Sequence, residues 1–218
     1  MTSQRGNALL YVLLGIALFA ALSYTLSRNT GTAGSNLSDE KATLMANRLI
    51  SHAGQVSQAI QQMLMTGSTI EDIDFTKPGE AGYGTNAQHQ VFHPAGGGIS
   101  VFDESDPNWF DPDSPSGTRG WQGRVSSNVG WTPSASDDSI YTFLDISGAI
   151  CAKINLILNG TEQVINSGAA SSPQYSNVFE SAGSVDLTNT NCPNCEGLMS
   201  ACIFNDFTYA FYNVVASQ

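Results

Sequence analysis

The chain has 218 residues with 12% charged, about half of the ~25% usual for a globular domain. Its 8 Lys and Arg face 19 Asp and Glu, for a formal net charge of −11, which excludes a nucleic-acid binder built on a basic stripe. A hydrophobic fraction of 41% supports a core and excludes a disordered polymer, while the length allows one or at most two domains.

The apolar residues crowd at the N-terminus. No residue from Gly6 to Ser27 is charged, and Ala8 to Leu22 is almost wholly apolar. As a helix at ~1.5 Å per residue, such a run spans roughly 33 Å, the thickness of a bilayer core. Residues 7–28 are therefore expected to form a transmembrane helix. Arg5 precedes it and Arg28 follows it, so flanking charge does not orient it. Two ordinary readings are a secretory signal with an imperfect site at Ala21-Leu22-Ser23 and an uncleaved anchor.

A third reading rests on Gln4-Arg5-Gly6-Asn7-Ala8-Leu9-Leu10 and the following Tyr11-Val12-Leu13-Leu14. This segment resembles the leader of type IV pilins and type II secretion pseudopilins: a short basic leader, a Gly, then a long apolar helix. The resemblance implies cleavage after Gly6 by a prepilin peptidase, leaving residues 1–6 as leader and Asn7 as the methylated first residue. The fifth mature residue of that family is usually Glu, and here it is Tyr11. That departure is similar to the minor, tip-located pseudopilins, several of which lack the Glu. The resemblance covers roughly residues 4–66. It implies a structural subunit held in the bacterial inner membrane before assembly, with its C-terminal head in the periplasm or at the cell surface. Its partners would be other pilin-like subunits, met through the N-terminal helix, and no nucleic acid.

Gly31 and Gly34 predict a break over 29–35. An amphipathic helix follows over 36–66, capped by Asn36 or Ser38 with Asp39 and Glu40 in its first turn. Met45, Leu49, Ala53, Val56, Ile60 and Leu64 form one apolar stripe, as expected of a helix packed on something. Residues 67–218 read as an α+β head with a small antiparallel sheet, so the fold class is a long N-terminal helix on a pilin-like head. A hairpin is expected from Gln90–Pro94 and Ile99–Phe102 around Ala95–Gly98. Weak strands are expected over Trp121–Trp131 and a better one over Ser139–Ile146. Ser147 would cap a helix with Ile150, Ile154 and Ile157 or Leu158 inward, ending at Gly160. Residues 159–190 read as surface loops and Phe204–Val215 as a final core strand. The run Asp145–Asn155, with its Cys, is similar to a small helix of type IVb pilin heads.

Cys151, Cys192, Cys195 and Cys202 form an even set beyond the apolar run, which predicts two disulfides in an oxidising compartment. Three pairings are open; Cys151 is expected to reach one of the other three and staple its helix to the last strand. Cys192-Pro-Asn-Cys195 also has thiol-redox spacing, but the supporting helix N-terminus and thioredoxin-like frame are not readable. His89 and His93 with Cys192 and Cys195 have zinc-compatible pair spacings, yet Pro94 interrupts the helix that would align the histidines. Five acids cluster in residues 103–113, where Asp103, Asp106, Asp111 and Asp113 are the ones calcium would use. The EF-hand order is absent, and the segment reads as a solvated acidic loop. No nucleophile, base and orienter assemble, so neither an enzyme nor a cofactor is expected.

Overall fold

The computed structural model describes the backbone of residues 7–112, 114, 118–133, 135–166, 187–189, 192–204 and 208–217, and the side chains of these except at 7–10 and 21–38. The chain divides into two compact units, Met1–Lys41 and Ala42–Gln218. Helix α1 spans Asn7–Met65 without interruption. The expected break at 29–35 and the helix start at residues 36–40 are thus corrected. Gly31 and Gly34 each cost only about 1 kcal/mol relative to Ala and keep their N–H donors, and no Pro is present to remove one. α1 stops where expected: Thr66 N–H reaches Gln62 O and Ser68 N–H reaches Met63 O, both at 3.1 Å. Between them Gly67 takes the positive φ of 111° that closes such an end.

The second unit is α+β. Strands β1 (Gly120–Ser127), β2 (Asp138–Leu144), β3 (Ile165–Asn166), β4 (Ser200–Phe204) and β5 (Tyr209–Ala216) form one sheet in the order β1-β2-β5-β4-β3. Its pairs are antiparallel except β3 with β4. Alternation along the strands divides two apolar layers. On one face Trp121, Tyr141, Phe143, Cys202, Phe211 and Val215 share a core with the α1 stripe, in which Met45, Leu49, Ala53, Val56 and Ile60 are all buried. Leu64 is only partly buried, and Met63 takes the inward place at the end of the stripe. On the other face Ile140, Leu144, Ala201, Ile203, Ala210 and Tyr212 pack with Val129, Leu187, Cys192 and Cys195.

Helix α2 (Gly148–Asn159) follows β2 and ends at Gly160 in the left-handed conformation. Its inward residues are Ile150, Cys151, Ile154 and Asn155. Ile157 and Leu158, expected inward, are exposed, because the polar Asn155 occupies the inward position of that turn. Its Nδ2 donates to Cys202 O at 2.7 Å and Gln163 O at 3.1 Å, while its Oδ1 accepts from Cys202 N–H at 2.8 Å. The amide side chain therefore pairs with the β4 backbone as a neighbouring strand would.

Two further expectations are corrected. Residues 90–102 are not a hairpin but nested turns: Gly97 N–H reaches back to Gln90 O, and the Gly96 and Gly98 N–H groups reach His93 O. A Cβ on Gly96 would collide with Gln90 O, so the glycines allow a closeness that strands do not use. Buried Gln90 locks these turns, donating to Asp74 Oδ2 and Gly82 O and accepting from Gly84 N–H. The last strand, expected over Phe204–Val215, is β5 and starts at Tyr209, while Phe204 ends the separate strand β4; Phe207 lies outside the described residues. Most of 159–190 also lies outside them, but Leu187 is buried and bridged to Val129 rather than on a surface loop.

Candidate functional site

Two regions answer to the sequence expectations: the apolar start of α1 and the chemistry-bearing side chains of the second unit. In the first, the described side chains of the expected 7–28 span are residues 11–20, and all are exposed, with Tyr11 at 68% and Phe19 at 74%. Among the described residues no helix is long and apolar enough to cross a membrane. Gly6 lies outside the described residues, and Asn7 is the first residue of α1. Exposed leucine, isoleucine and phenylalanine on every side of a helix differ from the one-sided stripe at 45–60, which has a sheet to meet.

The four cysteines form two disulfides, Cys151–Cys202 and Cys192–Cys195, and none is free. Cys151 reaches β4 rather than the last strand, fastening α2 to the sheet at Cys202, the residue whose backbone N–H and carbonyl pair with Asn155. In the chain-entropy treatment a link of sequence separation 51 contributes about 4 kcal/mol. Cys192 and Cys195 are buried in the second core layer; Cys192 precedes and Cys195 ends a three-residue 3₁₀ turn, Pro193–Cys195. That turn is not an α-helix N-terminus of the kind that stabilises a thiolate, and both cysteines are buried.

The disulfides also remove the cysteines from any zinc site. His89 Nδ1 sits 2.9 Å from Ser68 Oγ, and His93 accepts from Ala95 N–H and packs beside Tyr83. Among the described residues no group of three or more His, Cys, Asp or Glu is arranged to hold a metal.

Among the described residues, the acidic segment brings no three carboxylates together. Asp103 accepts from Ser105 N–H, and Asp106 accepts from Asn108 N–H to cap a short turn. Hydrogen bonds from the Ser105 side chain and backbone hold the Asp103 carboxyl below the usual range. Asp111 directs its N–H to Asp145 O, and Asp113 lies outside the described residues. Glu104 reaches the sheet: it accepts from Trp121 N–H at 2.9 Å, and its partner Lys77, 3.8 Å away, donates to Trp121 O. Gly120 makes room for this contact, since a Cβ there would run into the Glu104 carboxylate. Asp103 and Asp106 are therefore spent on local turns, and Glu104 on the edge of β1.

Sequence reasoning overlooked His52. It lies on the buried side of α1, against the Phe102, Trp121 and Tyr141 rings at 5.1–5.9 Å, with Nε2 3.3 Å from the Tyr141 hydroxyl. Burial, reinforced by the nearby Lys77 charge, lowers its pKa to about 4. The signal was its place among Leu49, Ala53 and Val56, which puts it within the stripe. Asp145 is likewise marked by the sequence only as the start of a helical segment. It is buried, takes a positive φ of 63° and pairs with Arg119 Nε at 2.6 Å. Burial raises its pKa against the opposing pull of that pair. His52 borders an open cavity of about 350 Å³ that Leu44, Arg48, Gln55 and Phe102 also line.

Comparison with protein-family models, with curated proteins and with solved structures returned no match for this chain.

Proposed function

We propose that this protein is a structural subunit of a type IV pilus-like or type II secretion-like filament, of the minor or tip kind. The observation that carries the reading is one helix, α1, whose first part is the uncharged Asn7–Ser27 run and whose stripe at Met45–Ile60 packs in the core of a mostly antiparallel sheet. Its mechanism is assembly. The apolar run holds the chain in the inner membrane, a prepilin peptidase cuts after Gly6, and the run then packs against neighbouring subunits. Tyr11 at the fifth mature position withholds the carboxylate that would pair with a neighbour's N-terminus, which supports a terminal place over repetitive stacking. Two disulfides suit a head in the periplasm or at the cell surface. The reading is structural, with no catalytic step.

Mass spectrometry of the mature N-terminus tests it. A methylated Asn7 start is the expected result. An intact Met1 would replace this reading with a single-pass envelope binding protein outside any filament, and a start near Tyr24 with a domain released by signal peptidase.

A further inference from the structure

We propose that the outer edge of β1, from Gly123 to Ser126, docks an extended basic segment of a partner protein, which joins the sheet as an added strand. The inference starts from how the fold treats its two edges. On one side β3 and the Asn155 amide occupy the outward groups of β4. On the other side, among the described residues, β1 pairs with no strand beyond it. Its regular register with β2 from Gly120 to Arg124 makes Trp121 and Gly123 the residues whose backbone groups face outward. Those of Trp121 are both taken, the N–H by Glu104 and the carbonyl by Lys77. Among the described residues, nothing outside β2 hydrogen-bonds the backbone from Gly123 to Ser126. An exposed edge of this kind is a template for strand addition unless it is blunted.

The space beside the edge fits that use. A groove of about 480 Å³ lies between Gln122–Val125 and the 71–77 segment, with Phe75 and Tyr141 also lining it. Phe75 lies directly over Gly123, where a Cβ would enter its ring, and stacks on Tyr141 at 5.5 Å. The absent side chain at 123 therefore lets an aromatic wall stand close to the open backbone.

Charge selects the occupant. Glu71, Asp72, Asp74 and Glu80 line the groove against Lys77 and Arg124, and Lys77 is already committed to Glu104. Hydrogen bonds from Thr69 hold Asp72 below the usual carboxylate range; at Asp74, burial pulls the other way but is outweighed by bonds from Thr76 and Gln90. The groove thus keeps a surplus of negative charge. A strand with Lys or Arg at alternate positions complements it, whereas a second copy of this chain brings a net charge of −11. The site lies wholly in the second unit and does not depend on how the N-terminus is processed, so its test and that of the filament reading fail separately.

The experiment uses the full chain in zwitterionic detergent and a fluorescein-labelled peptide alternating Lys and Val, read by fluorescence anisotropy. The expected result is binding at least tenfold tighter than that of the matching Glu-Val peptide. Methylating the backbone nitrogens along one edge of the peptide should weaken binding at least tenfold, while methylating the other edge leaves it unchanged. The Gly123 amide should exchange more slowly in the complex, and Glu71→Lys should weaken binding about fivefold. Equal binding of both methylated peptides would reduce the site to bulk charge and overturn the proposal. So would protection outside β1, absence of binding at millimolar peptide, or self-association of the chain through this edge that the peptide does not displace.

Discussion

Replacing Asn155 with Ala removes a side chain that behaves as a piece of sheet. The substitution strips the partner from Cys202 N–H, from Cys202 O and from Gln163 O, which Asn155 meets at 2.8, 2.7 and 3.1 Å. The two Cys202 groups are buried, and each buried backbone group left unpaired costs about 1–3 kcal/mol. With two groups fully exposed to that penalty, the loss is about 3 kcal/mol. At a urea dependence of about 2 kcal/mol per molar, the midpoint falls by about 1.5 M. Asn155→Asp separates the roles of the two amide atoms. It keeps an acceptor for Cys202 N–H but sets a carboxylate against two carbonyl oxygens, and burial raises the pKa of the new acid. A raised native pKa makes the variant most stable below the unfolded-state value of ~3.9 and progressively less stable as pH rises through the native one. Urea melts at several pH values measure both variants. A loss below about 1 kcal/mol for the Ala variant, or a pH-independent Asp variant, would refute the role given to Asn155.

The two disulfides differ in loop length, so the pair Cys151→Ala and Cys202→Ala should cost about 4 kcal/mol and the pair Cys192→Ala and Cys195→Ala about 2. Urea melts of the two double variants test the order. His52 is held neutral, with its native pKa lowered to about 4. Its contribution is therefore complete above the ordinary histidine value of ~6.5 and is lost as pH falls from there toward the native value. Proton NMR of the ring should place its titration near the low end, and His52→Phe should flatten the acid side of the stability profile.

The parts of this fold that were legible in the sequence are those governed by short-range periodicity. Met45 to Ile60 announces a buried helix face because neighbours three and four apart must share a side, and Ser139–Ile146 reads as a strand from its β-branched and aromatic residues. Gly160 marks the end of α2 for a local conformational reason. What escaped is decided by partners distant in the chain. β4 is a five-residue strand whose identity depends on pairing with β5 and on Asn155. The glycines at 96–98 suit a hairpin turn equally well, and only the backbone locked by Gln90 selects nested turns. Among the candidate site residues, the cysteines could be counted but not paired from spacing. The acids of 103–111 could not be assigned, since nothing local distinguishes a carboxylate that caps its own turn from one that waits for a cation.

The strand order carries a consequence for how the domain comes into being. β5 is the last strand in the chain yet lies between β2 and β4, and it shares a core layer with α1. The sheet therefore has no complete middle until residue 216 is available, however early α1 and β2 are made. Contacts of such sequence separation fold slowly, because loop-closure entropy is lost before packing can compensate. During synthesis the aromatic faces of β1 and β2 wait without their central neighbour, and this interval is when the chain is most exposed to aggregation.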